Sequence, residues 1–137
     1  MSLTSYGPRI ATVWKTIESI GAGSVKPRRI ILWLDDPAAL ADPPASLRRL
    51  QTRGGLEIRG CPDYGPHKKY FPYVTSILPE HPTRTLVTAD DDVYYPATWL
   101  EELLAAHLPR TGDSFPRADT HRRPVSPMGT VQYHEGI

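Results

Sequence analysis

Three consecutive carboxylates, Asp90-Asp91-Asp92, follow directly on the run Thr85-Leu86-Val87-Thr88, and a second acidic pair, Asp35-Asp36, follows Ile30-Ile31-Leu32-Trp33-Leu34. Adjacent carboxylates repel one another unless a cation or hydrogen-bond donors offset the charge. Hard divalent ions such as Mg²⁺ and Mn²⁺ take oxygen ligands, often one or two carboxylates together with the phosphates of a substrate. An Asp-any-Asp spacing after a strand lets two carboxylates reach one diphosphate site. The triplet also reads as a solvated turn that caps a helix near Tyr95-Pro96, and Asp35-Asp36 before Pro37 as a simple turn. Lys68-Lys69, soon after Gly65, could meet phosphate oxygens as point charges or could form a solvated face.

Other chemistries find little support. Gly21-Ala22-Gly23 lacks the lysine and the spacing of a phosphate-binding loop and reads as a helix stop. His67, His81, His107, His121 and His134 share no metal-ligand spacing. There is no nucleophile elbow, and Cys61 before Pro62 has no evident base partner. As the single cysteine, Cys61 excludes a disulfide scaffold and a clustered-cysteine zinc site, and it fits a reducing compartment. Lysine and arginine form no dense run, so nucleic acid is not an expected partner. Charge is nonetheless uneven: residues 1–69 carry eleven basic and six acidic side chains, residues 70–137 five and nine. A basic half facing an acidic half suits a phosphate ligand held partly through a metal, and solvated faces explain the same distribution.

The elements that must carry these groups alternate between strand and helix. Met1–Tyr6 is a short β-prone run ended by Gly7-Pro8. From Ile10 the apolar positions Ile10, Val13, Trp14, Ile17 and Ile20 mark one helical face, closed by Gly21 and Gly23. The continuous apolar run at 29–34 fits a strand buried on both sides, as parallel sheets require. A short helix over 43–54 stops at Gly54-Gly55, and Leu56-Glu57-Ile58 is a third strand. A helix disturbed by Pro72 is predicted over 68–78, a fourth strand over 85–88, and a helix with Trp99, Leu100, Leu103 and Leu104 on one face. Trp14, Trp33 and Trp99 read as core. Such alternation argues for an α/β sandwich with a largely parallel sheet.

At 137 residues the chain is sized for one domain with a sizeable core. Fifteen prolines, roughly twice average usage, exclude a long-helix bundle. The domain is expected over 1–108, with an irregular Pro-rich tail over 109–137 and a late strand near 130–134. No stretch approaches a membrane span and no basic-then-apolar leader is read. The expected location is the cytoplasm, including a peripheral position at the inner face of the membrane.

In order along the chain stand Ser2-Leu3-Thr4-Ser5-Tyr6, Pro8-Arg9-Ile10, Thr16-Ile17-Glu18-Ser19-Ile20, Lys26-Pro27, Ile30-Ile31-Leu32-Trp33-Leu34, Gly65-Pro66-His67-Lys68-Lys69, and Thr88-Ala89-Asp90-Asp91-Asp92-Val93-Tyr94-Tyr95-Pro96 with Trp99-Leu100. Over residues 2–107 this set resembles the donor-binding half of a GT-A-fold, family-two-like glycosyltransferase of a bacterial branch. The resemblance implies a Rossmann-like sandwich that binds a nucleotide-diphospho-sugar donor with Mg²⁺ or Mn²⁺ and transfers the sugar to a hydroxyl of a glycan, a lipid-linked or another acceptor. It implies that Thr4, Ser5 and Tyr6 lie near the base, that Asp35 or Asp36 contacts base or ribose, and that Lys68 or Lys69 lies close to the nucleotide. It further implies that Asp90 faces ribose or metal and that Asp92 ligates the metal bridging the diphosphate. Thr88 stands where many members carry a further aspartate, which leaves the choice among Asp90, Asp91 and Asp92 open. Members normally continue into an acceptor-binding half with the catalytic base. Here about thirty residues follow His107, so that half is expected to be truncated. Asp113, Asp119, His121 and Glu135 are the candidates for a base. The alternative reading is a remnant that binds the donor without transfer.

Overall fold

Strand β2 (Ile30–Leu34) has apolar side chains at every position and is buried along nearly its whole length. Such a strand is stable only where both faces of a sheet are covered. In the computed structural model, which describes residues 1–107 in full and residues 131–132 as backbone, β2 is the middle strand of a parallel trio. It pairs with β1 (Ser2–Thr4) on one side and β3 (Leu56–Gly60) on the other, with Leu32 opposite both Leu3 and Ile58. Strand β4 (Leu86–Val87) runs along β1: Thr88 forms a parallel bridge to Ser2, and the Ala89 amide donates to the Ser2 carbonyl at 3.1 Å. The order is therefore β3-β2-β1-β4, with β5 (Val131–Gln132) antiparallel to β4. Order reverses at β1, which makes the β1/β4 boundary a topological switch point of the α/β sheet, an order compatible with a Rossmann-like fold.

The two-residue period of β2 sorts its side chains between two helical layers. Leu32 and Leu34, with Leu3, Leu56 and Val87, meet Val13, Ile17 and Ile20 of α1 (Val13–Gly21), Leu47 of α3 (Ala45–Gly54) and Leu100 and Leu103 of α5 (Trp99–His107). Ile31 and Trp33, with Leu86, face the other way, against Tyr73 of α4 (Phe71–Ser76) and Ile77. The expected α/β architecture is thus present.

Several element boundaries depart from the sequence expectation, each for a local reason. The helix predicted from Ile10 starts as a 3-10 turn, Gly7–Ala11, and becomes α-helical only at Val13. The helix predicted over 68–78 is three pieces, a 3-10 turn at Gly65–Lys69, α4, and a 3-10 turn at Leu78–Glu80. Pro66, Pro72 and Pro79 each occupy a first turn, where the missing N–H leaves no bond unmade. A short helix that the periodicity did not signal, α2 (Pro37–Ala41), follows β2, its amides at Ala38 and Ala39 donating to the Asp36 carboxylate. Helix α3 ends at Gly55, whose φ of 67° is a conformation that side-chain-bearing residues rarely adopt.

Of the three tryptophans, Trp33 is core, 4% exposed, and its indole N–H donates to the buried Ser2 hydroxyl at 2.9 Å. Trp14 and Trp99 are only partly buried, packed against the core from outside. Trp33→Ala is expected to lower the unfolding free energy by about 3–5 kcal/mol and Trp14→Ala by less. Urea denaturation at unchanged m-value checks this, and equal losses for the two variants would contradict the layering described.

Candidate functional site

A cleft of about 570 Å³ opens at the carboxyl edge of the sheet, beyond the ends of β1, β2 and β4. Its walls carry five carboxylates, Asp35, Asp63, Asp90, Asp91 and Asp92, and three cations, Arg9, Lys68 and Lys69. Thr4, Tyr6, Gly65, Pro66 and Ala89 complete it. In open parallel sheets the carboxyl edge at a switch point is where ligands bind.

The acidic triplet is split by burial. Asp91 is 8% exposed, and its carboxylate accepts from the buried Ser5 hydroxyl at 2.7 Å and pairs with the Arg9 guanidinium at 3.1 Å. Those partners make the burial of a charge tolerable. The Thr16 hydroxyl of α1 donates to the Asp91 carbonyl at 3.0 Å, and the Ser19 hydroxyl accepts from the Tyr95 amide at 3.1 Å, so α1 holds both ends of the turn. The Asp90 amide donates to the Tyr95 hydroxyl at 2.9 Å, and burial raises the Tyr95 pKa, which keeps the hydroxyl neutral. Asp90 and Asp92, by contrast, leave half or more of their side chains in solvent. Each already has a cation beside it: Lys69 lies 3.0 Å from Asp90, and Arg9 reaches Asp92 as well as Asp91. Arg9 also sits over the ring of Tyr6, 5.3 Å from its centre, and Tyr6 is 57% exposed.

The two lysines have different neighbours. Lys68 is buried along its length, 6% exposed, with its ammonium 2.8 Å from Asp35 and 3.4 Å from Asp63. Burial by itself lowers the pKa of that ammonium; hydrogen bonds and charge from Asp35 and then Asp63 outweigh it, and the net shift is upward. Asp63 is held below its ordinary value by the Gly65 amide, which donates at 2.9 Å, and by Lys68. Gly65 has a φ of 55°, so the turn that presents both lysines needs glycine there.

The residues singled out from sequence divide accordingly. Thr4, Tyr6, Asp35, Lys68, Lys69, Asp90, Asp91 and Asp92 all line the one cleft. Ser5 is buried behind it as the partner of Asp91, and Asp36 caps α2 away from it. Thr4 donates its hydroxyl to the Trp33 carbonyl at 2.9 Å. Cys61 lies outside the cleft, and burial raises its thiol pKa, which suits an unreactive side chain. Asp113, Asp119, His121 and Glu135 lie outside the described residues, as does most of the predicted tail. The sequence reading assigned no role to Arg9 or Asp63. Arg9 stood in a quoted run, Pro8-Arg9-Ile10, but nothing in its spacing shows that a residue eighty positions from the triplet pairs with it.

The chemistry of this donor set can be tested against a divalent ion. Five carboxylates against three cations leave an excess of two negative charges, which one divalent cation offsets. Among the described residues no group of three or more His, Cys, Asp or Glu side chains converges as a ready-made metal cage. Mg²⁺ and Mn²⁺ need no such cage where ligand phosphates and waters supply the remaining oxygens. The residues present fit an ion shared with a phosphate ligand. Comparison of the chain with protein-family models, with curated proteins and with solved structures finds no match in any of the three. Among the described residues no helix is long and apolar enough to cross a membrane.

The Lys68–Asp35 pair yields a prediction with a definite sign. The ordinary lysine value is 10.5 and the folded value lies above it, so the pair's contribution is complete below the ordinary value and is lost as pH rises through the raised one. Lys68→Met is expected to destabilise the protein at neutral pH by about 1–3 kcal/mol, less than the loss of a fully buried pair because the unpaired Asp35 keeps contact with the open cleft. The deficit should narrow in denaturation curves taken at strongly alkaline pH. A deficit independent of pH would mean that packing of the lysine stem, not its charge, is what matters.

Proposed function

We propose that this chain is the donor-binding part of a metal-dependent glycosyltransferase of the GT-A kind, which holds a nucleotide-diphospho-sugar and passes the sugar to an acceptor hydroxyl. The observation that carries the reading is the position of Asp90 and Asp92, exposed beside Lys69 and Arg9 in a cleft at the β1/β4 switch point. A diphosphate entering there meets two cations already in place, and the carboxylates released from them become free for a metal. Asp90 and Asp92 are the residues that would hold Mg²⁺ or Mn²⁺. When bound, such an ion offsets the charge that develops on a departing nucleoside diphosphate. Arg9 and Lys69 supply further positive charge to the same oxygens, Arg9 through a planar fork that can grip two of them at once. Toward β1 and β2, the exposed Tyr6 ring offers a face on which a base can stack, and Asp35 offers an acceptor for base or ribose donors. Asp91, with both carboxylate oxygens engaged by Ser5 and Arg9, orients the turn rather than meeting the ligand.

Transfer also requires a base beside the acceptor hydroxyl, which typically contributes about 10²–10⁴-fold. Calorimetry with nucleoside diphosphates and Mn²⁺ tests donor binding, and nucleoside diphosphate release from a panel of nucleotide-sugars tests turnover. Asp92→Asn is expected to weaken Mn²⁺-dependent binding by about 10–100-fold, while Asp36→Asn, at the cap of α2, leaves it unchanged. Unchanged metal-dependent binding in both Asp90→Asn and Asp92→Asn would remove the basis of the assignment. Tight binding without release from any donor would establish the non-catalytic alternative.

A further inference from the structure

A second recess, about 240 Å³, lies at the opposite edge of the sheet, where the strands begin, and shares no residue with the cleft above. Lys26 and Arg28 reach it from the connection between α1 and β2, and Arg84 from the turn before β4. Among the described residues none of these three side chains has an ion pair or a hydrogen bond. Arg29, in the same recess, differs: Glu57 neutralises it through two bonds of 2.6 and 2.8 Å. Among the described residues no carboxylate lines the recess. Tyr73 forms part of its wall; the residue is 4% exposed, and its hydroxyl has no hydrogen-bond partner among the described residues. Leu100, Leu104 and Val87 supply an apolar floor.

We propose that this recess is a binding site for a phosphoryl group carried on a short apolar body. Three uncompensated cations match a phosphate monoester dianion better than a carboxylate, which would leave two of them unopposed. Two of the three are guanidinium groups, whose paired N–H donors fit phosphate oxygens bidentately. The Tyr73 hydroxyl, without a hydrogen-bond partner among the described residues, adds a donor at the wall of the recess. The volume is below the roughly 300–1,000 Å³ of common ligand pockets, so the recess suits a head group and a few methylenes rather than a nucleotide. The site stands on this geometry alone and does not depend on the function proposed for the carboxyl edge.

The test is calorimetric titration of the full 137-residue chain with inorganic phosphate and with hexyl phosphate, together with sedimentation on phosphatidylcholine vesicles with and without phosphatidic acid. Hexyl phosphate should bind saturably and about tenfold or more tighter than inorganic phosphate, because the apolar floor covers part of its chain. Arg28→Ala and Arg84→Ala should each weaken it by about tenfold or more. Circular dichroism checks that the variants fold, and Arg84→Gln replaces any that does not. Retention on phosphatidic-acid vesicles, reversed by hexyl phosphate, would identify a lipid headgroup as the source. Hexyl phosphate binding without vesicle retention would identify a soluble phosphate monoester. Absence of saturable binding, an affinity unchanged from the parent in both arginine variants, or displacement of hexyl phosphate by a nucleoside diphosphate would overturn the proposal.

Discussion

A carboxylate taken out of water must be given partners, and at the acid-rich edge of this protein that requirement is met at Asp91. Its partners come from three separate elements: Ser5 at the end of β1, Arg9 in the following 3-10 turn, and Thr16 of α1 on its backbone carbonyl. Seating this one residue therefore joins the β4 turn to the first twenty residues of the chain. The same seating turns Asp90 and Asp92 outward, because successive residues of the turn cannot all share one buried pocket. Without Ser5 and Arg9, three adjacent carboxylates would have every reason to splay apart into solvent.

The distribution of charge that results is uneven by edge. At the carboxyl edge, cations and carboxylates are interleaved, each exposed carboxylate touching a lysine or arginine, with a net negative excess. That arrangement offsets three of the five negative charges within the cleft itself. At the amino edge, Arg29 is paired with Glu57, while Lys26, Arg28 and Arg84 have no ion pair among the described residues. The two edges are separated by a sheet whose central strand is buried on both faces, so neither cluster screens the other at close range.

Arg29 and Glu57 show the contrast between an ion pair that supports structure and one poised for exchange. Arg29 just precedes β2 and Glu57 lies in the neighbouring β3, the two bonded through two oxygens, and Glu57 is held below its ordinary pKa by Arg29 first and Arg59 as well. Both carboxylate oxygens are occupied, and Glu57 lines neither recess. Lys69 with Asp90 is a single contact in an open cleft, which is a weak interaction in water and easily replaced.

Much of the architecture could be read from local pattern. The continuous apolar run of β2 implied a strand buried on both sides, the helical face from Ile10 to Ile20 implied α1, and the carboxylates after two strands implied an acidic edge of the sheet; these depend on residues close in sequence and on periods set by backbone geometry. The helix expected over 68–78, disturbed by Pro72, is three short pieces, because Pro66 and Pro79 as well as Pro72 each open a new first turn. What residue order could not determine was which of the three aspartates is buried, that Asp35 faces the cleft while its neighbour Asp36 caps a helix, and that Arg9 rather than a second lysine accompanies Asp92. Those outcomes depend on which strand lies beside β1 and on how α1 crosses the turn. They are decided by burial and pairing between groups eighty residues apart, and a linear spacing carries no record of such distances.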